Sequence, residues 1–240
     1  MTEFASGGAQ GAGPKGAQVR TMDSGAASGS RVLIAIALLL LVLYGAALTV
    51  VASSIPSVTQ SGQQVVAWLR GHRVGVLWSV WIGTVSVFLL AWMTAILRRM
   101  LPAVYRDLFL IGAIVLCASN AIQSWFLAGL ALHADRLDPA IARTVLDVVS
   151  FWGPVLTGAT TCMIAPVAWL GLRREAGIPL WLGILGAIAF VEQAIETITI
   201  FGTSGFTEPG GAMNMQLGAG LTMLWLFSFA FWAGLKGRTQ

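Results

Sequence analysis

Long apolar runs separated by short polar segments occupy most of the chain after residue 31. A helix needs about 20 apolar residues to cross a hydrocarbon core of roughly 30 Å, and six runs reach that length. The runs are Val32–Ser54, Gly75–Leu97, Leu108–Leu132, Val145–Leu172, Leu180–Phe201 and Leu217–Leu235. None shows the two-residue alternation of a membrane β-barrel. The pattern predicts an all-α, polytopic transmembrane helix bundle with six spans.

The polar segments set the expected boundaries of this bundle. Residues 1–31 are rich in Gly, Ala and Ser, and such a segment buries too little apolar surface to offset its ordering entropy. We expect a disordered cytoplasmic tail over 1–31, a transmembrane domain over 32–235 and a short cytoplasmic tail over 236–240. Between the first two spans, Thr59–Arg73 predicts either a short helix in the outer interface or an irregular loop with Trp68 as its anchor.

The basic residues are distributed unevenly between the two sides of the membrane. With the N-terminus in the cytoplasm, ten of the 14 Lys and Arg residues fall on the inner side. These ten are Lys15, Arg20, Arg31, Arg98, Arg99, Arg106, Arg173, Arg174, Lys236 and Arg238. The bias predicts a multi-pass protein of the inner (plasma) membrane with both termini cytoplasmic, N-in/C-in. Its immediate partner is the lipid bilayer, and the chain lacks the basic face or binding module that a nucleic-acid role would need.

Two acidic residues lie inside the fifth apolar run. Glu192 and Glu196 are one helical turn apart, and acids at membrane depth are costly and usually functional. No Lys or Arg lies within any of the six spans, and two like charges in a low dielectric repel strongly. We therefore expect both side chains to face neighbouring helices. They would be protonated, bound to a cation, or open to water on the outer side.

Other polar residues are predicted at the same depth. At about 1.5 Å per residue, Glu192 lies roughly 18 Å from the start of its span. Asn120 and Gln123 reach this layer on the third span, and Asp147 and Ser150 lie near the outer end of the fourth. These six residues form the predicted ligand- or proton-binding site. In the last outer loop, Asn214 and Gln216 are expected at the mouth of a cavity. The plain alternative is that the polar residues only hold the helices together.

Few other residues in the sequence suggest a disulfide, a metal or cofactor site, or a catalytic site. Two cysteines within spans, Cys117 and Cys162, make neither a disulfide framework nor a zinc site. His72 and His133 lie at the outer margin, so neither a metal cluster nor a haem is predicted, and we expect no cofactor. No hydrolase or metalloprotease motif is present, which disfavours an enzyme but leaves a membrane-embedded enzyme as a third alternative.

Three short segments carry a family resemblance. They are Trp68–Arg73, Gly177–Gly183 after the Arg173–Arg174 pair, and the Pro209–Gly211 turn followed by Asn214 and Leu217–Gly220. Together they resemble a group of uncharacterised actinobacterial membrane proteins. The resemblance implies a six-span inner-membrane protein of unknown activity and assigns no functional residues.

Two functions are compatible with these features. The acidic pair favours a small transporter or a ligand- or ion-binding protein. Short loops and small-residue helix faces, such as Gly183 with Ala187, favour a non-catalytic accessory or scaffold protein. Either function allows a homo-oligomer or a membrane partner protein.

Overall fold

The computed structural model describes residues 15–50 and 55–237, and every element within these ranges is helical. The seven α-helices are α1 Lys15–Val50, α2 Gly62–Leu97, α3 Ala103–Leu132, α4 Pro139–Ser150, α5 Trp152–Leu172, α6 Leu180–Glu196 and α7 Ala219–Lys236. Short 3₁₀ turns lie at Arg98–Met100, Thr197–Phe201 and Gly205–Thr207, and a π-helical turn, Met213–Gly218, leads into α7. The predicted all-α class is confirmed for the described residues.

Five segments are long and apolar enough to cross a membrane, judged by length and composition. They are Gly29–Ala47, Gly62–Met100, Ala103–Leu132, Leu180–Phe201 and Met213–Lys236. These correspond to the predicted first, second, third, fifth and sixth spans. A shorter apolar helix, Leu156–Leu172, corresponds to the predicted fourth span.

The predicted fourth span, Val145–Leu172, is not one helix. Phe151 ends α4, and α5 begins at the next residue. Asp138 caps the start of α4 by accepting from Ala140 N–H at 2.9 Å, so α4 forms a helix of its own. Pro154 lacks a backbone N–H and lies in the first turn of α5, where a helix does not need that donor, which fits a new start at Trp152.

The segment before the second span is also helical, but it is not separate. α2 runs unbroken from Gly62, with Ser61 and Gln64 forming a capping box at its start. Its first turns bury apolar side chains against α3 and α4. This small core consists of Val65, Val66, Leu69, Leu130, Ala134, Ala142, Leu146 and Val149. Residues 62–73 are therefore helical, which excludes the irregular loop, and they form the buried start of α2 rather than a separate short helix.

The first helix begins earlier than the expected tail boundary. α1 starts at Lys15 and continues into the first apolar run, so no boundary at residue 31 is seen. Residues 18–23 include the good helix formers Gln18, Arg20 and Met22. The remainder of the predicted tail, residues 1–14, lies outside the described residues, as do residues 238–240.

Six of the helices form a closed ring in the order α1, α2, α3, α5, α6, α7, and α7 packs back on α1. One end of the ring carries basic residues at the ends of its helices, and we call it the basic end. Its residues are Arg98, Arg99, Arg106, Arg173, Arg174 and Lys236. The opposite end carries α4, and we call it the α4 end. Near the basic end the ring is filled by apolar side chains, including the fully buried Phe109, Trp225 and Phe229.

Glycines let α5 and α6 approach at backbone distance. A Cβ on Gly183 would lie 2.5 Å from the carbonyl carbon of Gly171, which leaves no room for a side chain. One turn on, Gly186 packs against Ala168 and the Trp225 indole. The small-residue face of α6 therefore consists of Gly183 and Gly186, rather than Gly183 and Ala187.

Candidate functional site

Glu192 and Glu196 both lie on the inward face of α6. Buried residues recur on this helix every three or four positions: Leu182, Gly183, Gly186, Ala189, Glu192, Gln193 and Glu196. The opposite face carries about half-exposed Ile184, Ile188, Val191 and Ile195. Glu192 is 8% exposed and Glu196 is 3% exposed. The expectation that neighbouring helices shelter both acids is confirmed.

Each carboxyl oxygen of Glu196 accepts a hydrogen bond. Asn214 Nδ2 donates to Oε1 at 2.5 Å, and Gln193 Nε2 donates to Oε2 at 2.6 Å. Gly210 N–H donates to Asn214 Oδ1 at 3.0 Å. Because a backbone N–H can only donate, this contact turns the Asn214 oxygen toward Gly210 and its NH₂ group toward Glu196. The Glu196 carboxyl is therefore held as an acceptor.

Gln193 links the two acids to α5. Its Nε2 also donates to Glu192 Oε2 at 3.0 Å, and the Thr160 hydroxyl on α5 donates to its Oε1. Glu192 Oε1 has no hydrogen-bond partner within the described part of the chain. A neutral amide between two acids satisfies their oxygens but adds no positive charge.

The π-helical turn brings Asn214 to Glu196. Turns of this kind insert an extra residue and occur frequently at functional sites. Asn214 is 2% exposed, and its Nδ2 also donates to Thr199 Oγ1 at 3.1 Å. Two glycines make the space: a Cβ on Gly153 would lie 2.8 Å from Asn214 Nδ2, and a Cβ on Gly218 would collide with Glu196 Oε2. The sequence of the turn and of its neighbours thus accommodates the network.

A cavity of about 270 Å³ lies beside this network, inside the ring of helices. Polar side chains line its wall level with Glu196: Asn120 and Gln123 on α3, Thr160 on α5, Gln193 on α6, and Asn214 and Thr222 from the π turn and α7. Apolar side chains line it toward the basic end: Leu40, Val87, Leu90, Met93, Leu226 and Phe227. No Lys, Arg or His is among the described residues that line it.

The predicted partners on α3 share the cavity with Glu196 but do not bond to it. Asn120 and Gln123 are half-buried and line the cavity wall. Asn120 Nδ2 donates to the Leu116 carbonyl of its own helix at 2.9 Å. α3 therefore contributes polar groups to the same space as α6, across the cavity.

The predicted residues on α4 lie elsewhere. Arg143 Nη2 donates to Asp147 Oδ1 at 2.6 Å, one turn away on the same helix. Ser150 Oγ donates to the Leu146 carbonyl at 3.0 Å. Neither Asp147 nor Ser150 lines the cavity, because the break at Phe151 separates α4 from the ring helix α5.

The closest partners of the acids were not in the predicted site. Gln193, Asn214 and Thr160 contact the carboxyl groups or hold the side chains that do. Gln193 is adjacent to Glu192 in sequence and could have been selected as a polar residue on the same face. Asn214 carried a weaker signal, a polar side chain just before an apolar run.

The side chains around the two acids are hydrogen-bonding groups. Among the described residues no three His, Cys, Asp or Glu side chains come together to hold a metal ion. The acids are surrounded by amides and hydroxyls, which orient a ligand by hydrogen bonds. No protein-family model, curated protein or solved structure matches the chain. The resemblance to actinobacterial membrane proteins stays a prediction.

Proposed function

We propose that this protein is a six-span inner-membrane protein, with both termini cytoplasmic, that binds a small ligand at Glu196. It acts as a small transporter or as a ligand-binding protein. The observation that carries the proposal is the buried Glu196 carboxyl at the wall of a 270 Å³ cavity that has no basic side chain among its described lining residues.

Two features support the topology. The 21 residues of α5 rise about 31 Å at 1.5 Å per residue, close to the roughly 30 Å hydrocarbon thickness. α5 also packs between α3 and α6 as a full member of the ring. The basic end then faces the cytoplasm, and the polar wall of the cavity lies toward the outer side.

Two features support ligand binding. An apolar cavity of about 150 Å³ is enough to hold benzene, so 270 Å³ accommodates an organic molecule rather than only a bare ion. Intramembrane acids that face a cavity are typical of ligand and ion pathways.

Native mass spectrometry of protein extracted from its own membrane tests the proposal. Ser86 lines the cavity and Thr84 is exposed on the other side of α2, so Ser86→Trp fills the cavity while Thr84→Trp is a matched control. Wild type and Thr84→Trp should carry an added small-molecule mass that Ser86→Trp lacks. Absence of that mass from wild type, or its presence in Ser86→Trp, contradicts the proposal.

A further inference from the structure

The cavity has a polar level and an apolar extension. On α2 the lining runs from Ser79 to Met93, about 21 Å at 1.5 Å per residue. Toward the α4 end this lining mixes polar Ser79 and Ser86 with apolar Val80 and Ile82, whereas toward the basic end it is apolar only, with Leu90 and Met93. The apolar part ends near the buried Phe109, Trp225 and Phe229, which fill the ring. A molecule that fits this shape has a polar head, and it has a tail that points to the basic end.

Glu196 determines the chemistry of the head. Both of its oxygens are acceptors, and the side chains that surround them are neutral amides. Burying an ionised carboxyl is costly unless an opposite charge accompanies it. No Lys, Arg or His lines the described cavity, so an ionised Glu196 would take its counter-charge from a bound ligand.

Thr222 provides an independent indication of a ligand. It lines the cavity one turn after Gly218, which contacts Glu196, and it is only 3% exposed. Its Oγ1 has no hydrogen-bond partner among the described residues. A buried hydroxyl without a partner is unusual in a native structure. An ammonium head that sits on Glu196 offers N–H donors to this oxygen, and the Asn120 and Gln123 amide oxygens are further acceptors on the facing wall.

We infer that the cavity binds an amphiphile with one cationic ammonium head, held by Glu196 and Thr222, and a single hydrocarbon tail lying toward the basic end. This inference rests on the proposed function and names its ligand class.

The test compares three probes with the same tail: octylammonium, octanol and octyl sulfate. Thermal unfolding of the full chain is measured in zwitterionic nanodiscs over a range of probe concentrations. In wild type, octylammonium should bind about tenfold more tightly than octanol because its hydrogen bond to Glu196 is charge-assisted. Octyl sulfate should not bind, because it brings a second negative charge.

Variants separate the site from general effects of the probes on the bilayer. Glu196→Gln should abolish the preference for octylammonium over octanol. Glu175→Gln removes an exposed acid in the α5–α6 connection and should keep the preference. The wild-type probe order tests the inference even if Glu196→Gln fails to fold.

The possible outcomes separate the proposed ligand class, an ammonium amphiphile, from the proposed function, binding of a small ligand in the cavity. Equal binding of octanol and octylammonium in wild type, blocked by Ser86→Trp, overturns the cationic head and leaves cavity binding in place. An unchanged preference in a folded Glu196→Gln also overturns it. Failure of all three probes together with no added mass in native mass spectrometry overturns both.

Discussion

Asn214→Ala tests whether the hydrogen-bond network holds the helices together toward the α4 end of the bundle. The change removes the donations to Glu196 and Thr199 and leaves the Gly210 N–H without its acceptor. Side-chain hydrogen bonds between membrane helices average about 0.6 kcal/mol and reach about 1.7 kcal/mol. Three such bonds, one of them to a carboxyl group, correspond to a loss of about 2–3 kcal/mol in the free energy of unfolding.

Asn120→Ala is the matched control for this measurement. It makes the same substitution in the same cavity, but Asn120 Nδ2 donates only to the Leu116 carbonyl of its own helix. We expect a loss of about 0.5 kcal/mol or less, since alanine favours the helix. Reversible unfolding in mixed detergent micelles measures both variants. Equal losses for Asn120→Ala and Asn214→Ala, or a negligible loss for Asn214→Ala, would refute the reasoning.

Two further predictions concern packing and the α4 end. Gly183→Val should lower the free energy of unfolding by about 1–3 kcal/mol, because the added side chain overpacks α5 against α6. Gly220→Val is the control, since a Cβ there meets nothing within 4 Å, and its thermal unfolding should change little. Similar losses at both glycines would contradict this packing. Arg143→Ala should lower the free energy of unfolding by about 1 kcal/mol or more. Arg143 Nη1 donates to the Ser57 carbonyl at 2.9 Å, and Arg143 also forms an ion pair with Asp147. Hydrogen exchange over residues 57–61 should then be faster than in Arg136→Ala, which changes an exposed arginine, and equal exchange in the two would count against this anchor.

Hydrophobic runs were sufficient to predict most helices but not their ends. The third run, Leu108–Leu132, lies within α3 and ends at the same residue, because burial in lipid needs only a long apolar helix. The start of α2 at Gly62 could not be predicted from polarity, because Val65, Val66 and Leu69 become core only when α4 packs on them. The break at Phe151, by contrast, follows local signals, the Asp138 cap of α4 and Pro154 near the start of α5, which the continuous apolar run obscured.

The site was predicted in part for a similar reason. Carboxylates inside an apolar run stand out without any tertiary information, so Glu192 and Glu196 could be selected from sequence. Depth counting also brought Asn120 and Gln123 to the cavity wall, since α3 is a regular helix. Depth alone misplaced Asp147, which pairs on its own helix. The role of Asn214 depends on a π-helical turn that sequence periodicity does not reveal.

The proposal places the cavity beside Glu196 toward the outer side of the membrane, and a ligand would then enter it from that side. Thiol labelling tests it most directly, with Cys117 and Cys162 both replaced by alanine. A single cysteine at Gln123, which lines the cavity, should react in intact cells with a membrane-impermeant cationic methanethiosulfonate reagent. Phe88 is 64% exposed on the lipid-facing periphery of the ring and does not line the cavity. A cysteine at this position should be shielded by lipid and should not react. A Gln123→Cys protein that is labelled only from the cytoplasmic side, or from neither side, would contradict the account.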